Sequence, residues 1–250
     1  MISIIMPAYN AALYIKEAIT SVLNQTYQDW ELIIIDDHST DETIQLIEHF
    51  SEMDSRILYI INKTNLGVAA ARNKGISIAT GEWIAFLDSY HYWHPKKLKK
   101  QIDFAESHQG GFIFSGSSFM DESSTPLDYY LTVPEAITYK ELLKQNIISC
   151  SSVLIRKTLL KNYPMEHAYK MHEDFAVWLQ ILRYETDFAY GINEPLLIYR
   201  ISSTSKSGNK IKAGLMTFRV YRYLGIHFVP AFYYWICYFI RSVKKYSRLL

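Results

Sequence analysis

Four times in the first 88 residues an apolar, mostly β-branched run stops at polar or acidic side chains, and this repeat constrains the fold more than any other feature. Ser3-Ile4-Ile5-Met6 halts at Pro7-Ala8-Tyr9-Asn10, after which Leu13, Ile15, Ala18, Ile19, Val22 and Leu23 recur at helical spacing. Glu31-Leu32-Ile33-Ile34-Ile35 halts at Asp36-Asp37-His38-Ser39-Thr40-Asp41, and Thr43 to Phe50 resumes the helical pattern with Thr40 or Asp41 as N-cap. A third run, Ile57 to Ile61, leads through the turn Asn65-Leu66-Gly67 to a helix from Val68 to Ala79, closed by Gly81. The fourth, Trp83-Ile84-Ala85-Phe86-Leu87, ends on Asp88. Apolar runs alternating with amphipathic helices predict an α/β fold, a mostly parallel sheet with helices on both faces. In such sheets ligands meet the C-terminal ends of the strands, so Asp88-Ser89-Tyr90-His91 is expected at a binding edge.

Beyond Pro95 the regular alternation weakens. Lys96 to Phe104 predicts an amphipathic helix with a basic outer face, Phe112 to Gly116 a strand, and 121–134 a loop or hairpin. Tyr139 to Gln145 reads as a short helix and Ser151 to Ile155 as a strand. Phe175 to Tyr184 is a helix opened by His172-Glu173-Asp174. With no internal repeat or low-complexity linker, residues 1–205 read as one domain and 206–250 as a helical tail. Cys150 and Cys237 provide neither a disulfide framework nor a zinc spacing, which fits a reducing compartment. Met1-Ile2-Ser3-Ile4-Ile5 lacks a basic leader segment and reads as a first strand.

The net charge of +1 conceals a division: residues 195–250 hold 10 Lys and Arg and no acid, whereas residues 1–194 hold 16 against 25. The basic end also concentrates Phe232, Tyr233, Tyr234, Trp235, Tyr238 and Phe239. Ile226 to Ile240 is shorter than the roughly 20 residues needed to cross a bilayer, and Pro230 interrupts it. An aromatic, basic segment of this kind suits the interface of an anionic membrane better than nucleic acid. Packing on the first domain or in a dimer is the competing reading.

Neither a G-x-G-x-x-G turn nor a G-x-x-x-x-G-K-[ST] loop is present, so dinucleotide binding and phosphoryl transfer lose their usual signatures. Instead Tyr9 offers a ring and Asp36 and Asp37 offer acceptors at neighbouring strand ends, which is what a nucleoside requires. Several motifs carry a resemblance. They are Pro7-Ala8-Tyr9-Asn10, Ser21-Val22-Leu23-Asn24-Gln25-Thr26-Tyr27, Asp36-Asp37-x-Ser39-Thr40-Asp41, Gly67-x-Ala69-x-Ala71-Arg72-Asn73, Gly81 to Asp88, and Glu173-Asp174-Phe175. Together they resemble the inverting family 2 glycosyltransferases of GT-A fold, a Rossmann-like α/β architecture, over roughly residues 1–205. Within that family the chain is similar to the bacterial cell-surface polysaccharide branch, such as teichuronic acid or capsule glycosyltransferases.

The resemblance implies a nucleoside diphosphate sugar donor, most often UDP-linked, and a saccharide or polyprenyl-linked acceptor, with no nucleic acid. It implies that Pro7, Ala8, Tyr9 and Asn10 line the nucleotide pocket with Asp36, and that Asp37 binds the base. Arg72 and Asn73 would face the diphosphate or ribose, Asp88 and Ser89 would sit by the ribose or metal, and Arg200 would hold a phosphate, helped by Lys206 and Lys210. Asp174 would be the base that deprotonates the acceptor, with Glu173 as its alternate. An acidic pair at a helix start has a plain structural alternative, complementing the helix dipole. The implied place is the cytoplasmic face of the plasma membrane, held peripherally.

The chain departs from the family at its metal. Where the family commonly reads Asp-x-Asp, with the second Asp on Mn²⁺ or Mg²⁺, position 90 is Tyr, and Ser202 stands where a His is frequent. Asp88 and His91 are the remaining candidate ligands. Three accounts stand open: metal bound by Asp88, His91 and the diphosphate; neutralisation by Arg72, Arg200 and lysines instead; or a donor-binding subunit that turns over little or not at all.

Overall fold

The structure, a computed structural model, describes residues 1–166, 170–201 and 210–246. Ser202, Lys206 and Arg248 lie outside the described residues, as do the side chains of Lys210, Lys244 and Lys245. The repeat read from the sequence becomes β1 (Ile2–Ala8), α1 (Ile15–Leu23), β2 (Trp30–Asp36), α2 (Thr43–Met53), β3 (Ile57–Ile61), α3 (Val68–Ile78) and β4 (Trp83–Phe86). There follow β5 (Tyr92–Trp93), α4 (Lys97–His108), β6 (Phe112–Met120), β7 (Pro126–Leu131), β8 (Ala136–Ile137) and α5 (Tyr139–Leu142). A 3-10 turn at Cys150–Ser152, β9 (Leu154–Arg156), α6 (Lys157–Leu160), α7 (Glu173–Tyr184), β10 (Ala189–Arg200), α8 (Lys210–Tyr223) and α9 (Phe228–Tyr246) complete the described chain.

One sheet runs in the order β3-β2-β1-β4-β9-β6-β10-β5, with β7 on β6 and β8 on β10. Along β1 and β2 successive side chains enter opposite faces. Ile4, Met6, Leu32 and Ile34 join Ile15 and Ile19 of α1 and Leu98 of α4, while Ile5, Ile33 and Ile35 join Ala71 of α3 and Phe175 and Trp178 of α7. Burial on both faces explains why these strands read as unbroken apolar runs.

The sheet is more mixed than expected. Strands β1 to β4, β6 and β10 share one direction, but β9 is antiparallel to both β4 and β6, and β5, β7 and β8 are antiparallel as well. Short links such as Asp121 to Thr125 allow only a reversal, since a parallel return needs a crossover of a dozen residues or more. The segment 121–134 is accordingly the hairpin arm β7 on β6.

β10 had no clear signature because Gly191, Asn193, Glu194 and Pro195 break its apolar run. The structure accommodates them by register shifts against β6 on either side of Pro195. Other local readings also shift. Leu13 precedes α1 and is exposed. Asp41 accepts from the Thr43 N–H at 3.0 Å, although Glu42 is the N-cap residue. Gly81 does not cap α3. A Cβ there would fall 2.7 Å from Ser3 Oγ and 2.9 Å from the Met1 carbonyl, so the glycine serves close approach to β1. Lys97, expected on a basic outer face, is fully buried, its Nζ 2.7 Å from Gln101 Oε1 and 4.0 Å from the Trp93 ring centroid. Pro230 does not interrupt the tail, because it sits in the first turn of α9, where backbone N–H groups have no intrahelical partner.

The C-terminal helices pack onto the sheet domain. Val220, Tyr221 and Ala231 are buried in the same core cluster as Phe86 and α7, and the Tyr221 hydroxyl donates to the Leu143 carbonyl at 2.6 Å. The opposite side of α9 stays exposed: Phe228, Val229, Phe232, Tyr233, Ile236, Phe239 and Ile240 form one apolar stripe. Among the described residues no helix is long and apolar enough to cross a membrane.

Candidate active site

The six co-directional strands deliver their C-terminal ends to one edge, and the chemistry-bearing residues collect there. Tyr9 follows β1 and is 52% exposed, so its ring is open to a stacking partner. Pro7 and Ala8 are buried beneath it, and the Ala8 carbonyl accepts from the Asp37 N–H at 2.8 Å. Asn10, with φ of 47°, accepts at Oδ1 from the Thr40 N–H at 2.8 Å, tying the loop after β1 to the loop after β2. Asp36 is buried and receives the Ser39 N–H at 3.0 Å; its position is explained by that loop alone.

Asp37 organises the edge. Its Oδ1 accepts from Asn62 Nδ2 at 2.8 Å and the Leu66 N–H at 2.9 Å, and its Oδ2 from the Gly67 N–H at 2.6 Å. Gly67 holds φ of +86°, a conformation that favours glycine, and so presents its N–H as α3 begins. Three accepted bonds occupy most of the acceptor capacity of this carboxylate, which is expected from the sequence to meet the base.

From α3, Arg72 reaches a buried ion triad. One terminal nitrogen donates to Asp88 Oδ1 at 2.6 Å and the other to Glu173 Oε1 at 2.8 Å, with the arginine side chain only 5% exposed. The guanidinium is thereby committed to two carboxylates and joins the end of β4 to the start of α7. Asn73, the neighbouring candidate, turns away: its amide donates to the Met165 carbonyl at 2.8 Å and accepts from the Met165 N–H at 2.9 Å. Ser89 is buried in the link after β4, and the Asp88 N–H donates to Ser151 Oγ at 3.1 Å.

The acidic pair at the head of α7 divides into two roles. Glu173 is buried and paired with Arg72. Asp174 is partly exposed and accepts from the Phe175 N–H at 2.8 Å. Desolvation, and then the adjacent Glu173 charge, push the Asp174 carboxyl above its ordinary value of 3.8, against a smaller opposing pull from Arg72. A carboxylate with a raised pKa is a better proton acceptor near neutrality.

Position 90 and its neighbours do not form a metal site. His91 is buried with Nδ1 accepting the Arg200 backbone N–H at 3.1 Å and its ring against Tyr90 and Tyr199; burial lowers its pKa to about 4. Burial, followed by the Asp88 charge, holds the Tyr90 phenol well above its usual pKa of 10, so it stays neutral. Mg²⁺ and Mn²⁺ favour carboxylate and water oxygens. Here the edge supplies Asp88, already paired with Arg72. Among the described residues no group of three or more His, Cys, Asp or Glu side chains could hold a metal ion.

Arg200 is placed unlike a phosphate ligand. It is 1% exposed; Nε donates to the Tyr90 carbonyl at 3.1 Å, one terminal nitrogen to Ser124 Oγ at 2.7 Å, and the other pairs with Glu17. The guanidinium also lies over the Tyr14 ring at 4.3 Å. It therefore fastens α1, the residue-90 loop and the β6–β7 hairpin to one another. Glu17 and Tyr14 carried no sequence signal, since both lie in an ordinary amphipathic pattern. Ser151, in the Ser149-Cys150-Ser151-Ser152 run that reads from the sequence equally as a border of the acceptor site or as a plain strand edge, accepts the Asp88 N–H.

Comparison with known proteins adds four findings. The model of glycosyl transferase family 2 matches residues 3–163. The chain is 39% identical to TuaG of Bacillus subtilis (strain 168), a glycosyltransferase named for teichuronic acid biosynthesis, over 98% of this chain and 97% of that one. It is 35% identical to the Escherichia coli UDP-Glc:alpha-D-GlcNAc-diphosphoundecaprenol beta-1,3-glucosyltransferase WfgD, over 99% and 95%. The S. aureus TarS fragment 1-349, solved with UDP-GlcNAc, has the same fold at a TM-score of 0.74 and 20% identity, covering 90% of this chain and 65% of that chain.

Proposed function

The chain belongs to glycosyl transferase family 2 and is an inverting glycosyltransferase that uses a nucleotide-sugar donor; we propose that it moves a hexose from UDP to a saccharide carried on a polyprenyl diphosphate. The donor and acceptor classes are supported by two E. coli relatives, 35% and 37% identical, both named as UDP-Glc:alpha-D-GlcNAc-diphosphoundecaprenol glucosyltransferases.

The observation that carries the mechanism is the unequal acidic pair. Glu173 is committed to Arg72, while Asp174 combines partial exposure with a raised pKa. In the reaction the acceptor hydroxyl oxygen bonds to the anomeric carbon as its proton passes to Asp174. The bond from that carbon to the diphosphate oxygen breaks on the opposite face, and the electron pair leaves with UDP. No covalent intermediate is required. Tyr9 would stack on the base, and the Asp37 loop, with Pro7, Ala8 and Asn10, would frame the nucleoside. The Arg72 triad, one guanidinium between two carboxylates, carries a net negative charge; its part would be to hold Asp88 and the head of α7 in register beside Asp174.

Residues 1–205 form the transferase body in this reading, and 206–250 a tail that rests on an anionic membrane, at the cytoplasmic face where lipid-linked acceptors are built. Support comes from the apolar stripe on α9 and from the 10 Lys and Arg, unaccompanied by any acid, in residues 195–250.

The test is transfer of glucose from UDP-glucose to GlcNAc-diphosphoundecaprenol in vesicles. Asp174→Asn should lower kcat by at least about 100-fold while UDP affinity stays within about threefold. Wild-type protein that binds UDP yet neither transfers nor hydrolyses UDP-glucose or UDP-GlcNAc would instead be a donor-binding subunit.

A further inference from the structure

Helix α8 holds the base-bearing start of α7 from one side. Tyr223 Oη donates to Glu166 Oε2 at 3.1 Å, and Arg219 to the Lys170 carbonyl at 3.2 Å. His172 Nε2 lies 3.2 Å from the Ala213 carbonyl and must carry the proton, because a carbonyl only accepts. His172 is the N-cap residue of α7, two positions before Asp174. The next carbonyl along α8, that of Gly214, accepts from Trp235 Nε1 of α9 at 2.8 Å. Trp235 is stacked on Phe232 and Phe239, both part of the exposed stripe. Two adjacent peptide carbonyls therefore connect the stripe to the base segment.

We propose that α8 couples these two surfaces: seating the α9 stripe in an anionic bilayer orders Trp235 on Gly214 and, through Ala213 and His172, orders the Glu173-Asp174 segment, so that turnover is faster on a membrane than off it. This rests on the reading of Asp174 as base and α9 as the membrane face. A bilayer that buries Phe232 and Phe239 restricts the rotamers of the rings against Trp235. Ordering completed by the membrane is then not required when the substrates bind. His172 acts as a positioning residue, through Asp174 rather than on the substrate.

The experiment uses the full chain, with and without vesicles of equal phosphatidylglycerol and phosphatidylcholine. It reads amide hydrogen exchange over 170–176 and UDP release from UDP-glucose with water as acceptor. Water as acceptor removes any effect of lipid-substrate delivery. Wild type should cosediment with the vesicles, slow its exchange over 170–176 by at least about fivefold, and release UDP faster by a similar factor. Trp235→Phe should cosediment equally while both changes fall below about twofold. His172→Phe should lose them too, and His172→Gln, which keeps a side-chain N–H, should recover part. The doubly substituted Phe232→Ser, Phe239→Ser protein, altered only at exposed positions, should stay in the supernatant with the exchange seen in solution. Equal stimulation of Trp235→Phe and wild type, or slower exchange without faster UDP release, overturns the coupling while leaving the membrane reading intact. Wild type that fails to cosediment overturns both.

Discussion

Replacing Arg72 by Met removes the guanidinium that bridges Asp88 and Glu173 and leaves the apolar part of the side chain in place. Two charge-assisted hydrogen bonds, of 2.6 and 2.8 Å, are lost. Each is worth about 1.5–3 kcal/mol when a charged group is involved. Methionine packing returns a fraction of this, but Asp88 and Glu173 lose the guanidinium that both of them share beside Asp174. Breaking a buried pair in this way costs about 3–5 kcal/mol, and that is the expected loss. Since a domain of this kind has about 5–15 kcal/mol in hand, the variant should still fold at low temperature. Urea unfolding followed by tryptophan fluorescence measures the effect as a lower midpoint at unchanged slope. Arg72→Lys should recover less than half, because an ammonium point charge cannot span both carboxylates as the guanidinium fork does. A loss below about 1 kcal/mol for Arg72→Met would refute the triad as a structural centre, for that is the range of a solvent-exposed pair.

Three further outcomes follow from the same site. The acidic limb of kcat/KM should lie above the ordinary aspartate value of 3.8, with activity rising as Asp174 deprotonates, and it should vanish from the residual activity of Asp174→Asn; a limb at or below 3.8 would contradict the desolvated base. Tyr90→Asp places a second carboxylate next to Asp88 and should make UDP binding at least about tenfold tighter with Mn²⁺ by calorimetry, whereas wild type should change less than about threefold. Lys97→Met should gain on wild type in stability as pH falls from about 10, because burial holds that amine well below its usual pKa and charging it costs the fold, whereas the lost hydrogen bond to Gln101 is a pH-independent offset. The gain should be greatest at low pH and shrink as pH approaches about 10, where the unfolded chain also releases the proton.

The parallel half of the sheet was legible because strands buried on both faces must be apolar throughout, and their polar stops fall where a ligand edge forms. The second half was not, since β10 contains Gly191, Asn193, Glu194 and Pro195 and takes its place only through register shifts against β6. The candidate site was legible as a set of residue types and less so as a set of roles. Glu173 and Asp174 are chemically near-equal in sequence; what separates them is Arg72, 101 positions away. Arg200 is expected from the resemblance to hold a phosphate, yet its partners arrive from α1, the residue-90 loop and the β6–β7 hairpin. Long-range pairings of buried charge have no local spacing to betray them.

The placement of Arg200 has a consequence for how the molecule comes into being. Its partner Glu17 is made 183 residues earlier, and at about 5–20 residues per second the first helix must wait on the order of ten seconds or more for it. Once made, β6 lacks β10 along one side, and the loop after β4 lacks the cation that fastens it, until residue 200 emerges. The nascent enzyme thus carries an open sheet edge and an unfastened residue-90 loop until β10 is synthesised, so a product truncated before residue 200 would be vulnerable to edge-to-edge association and to proteases.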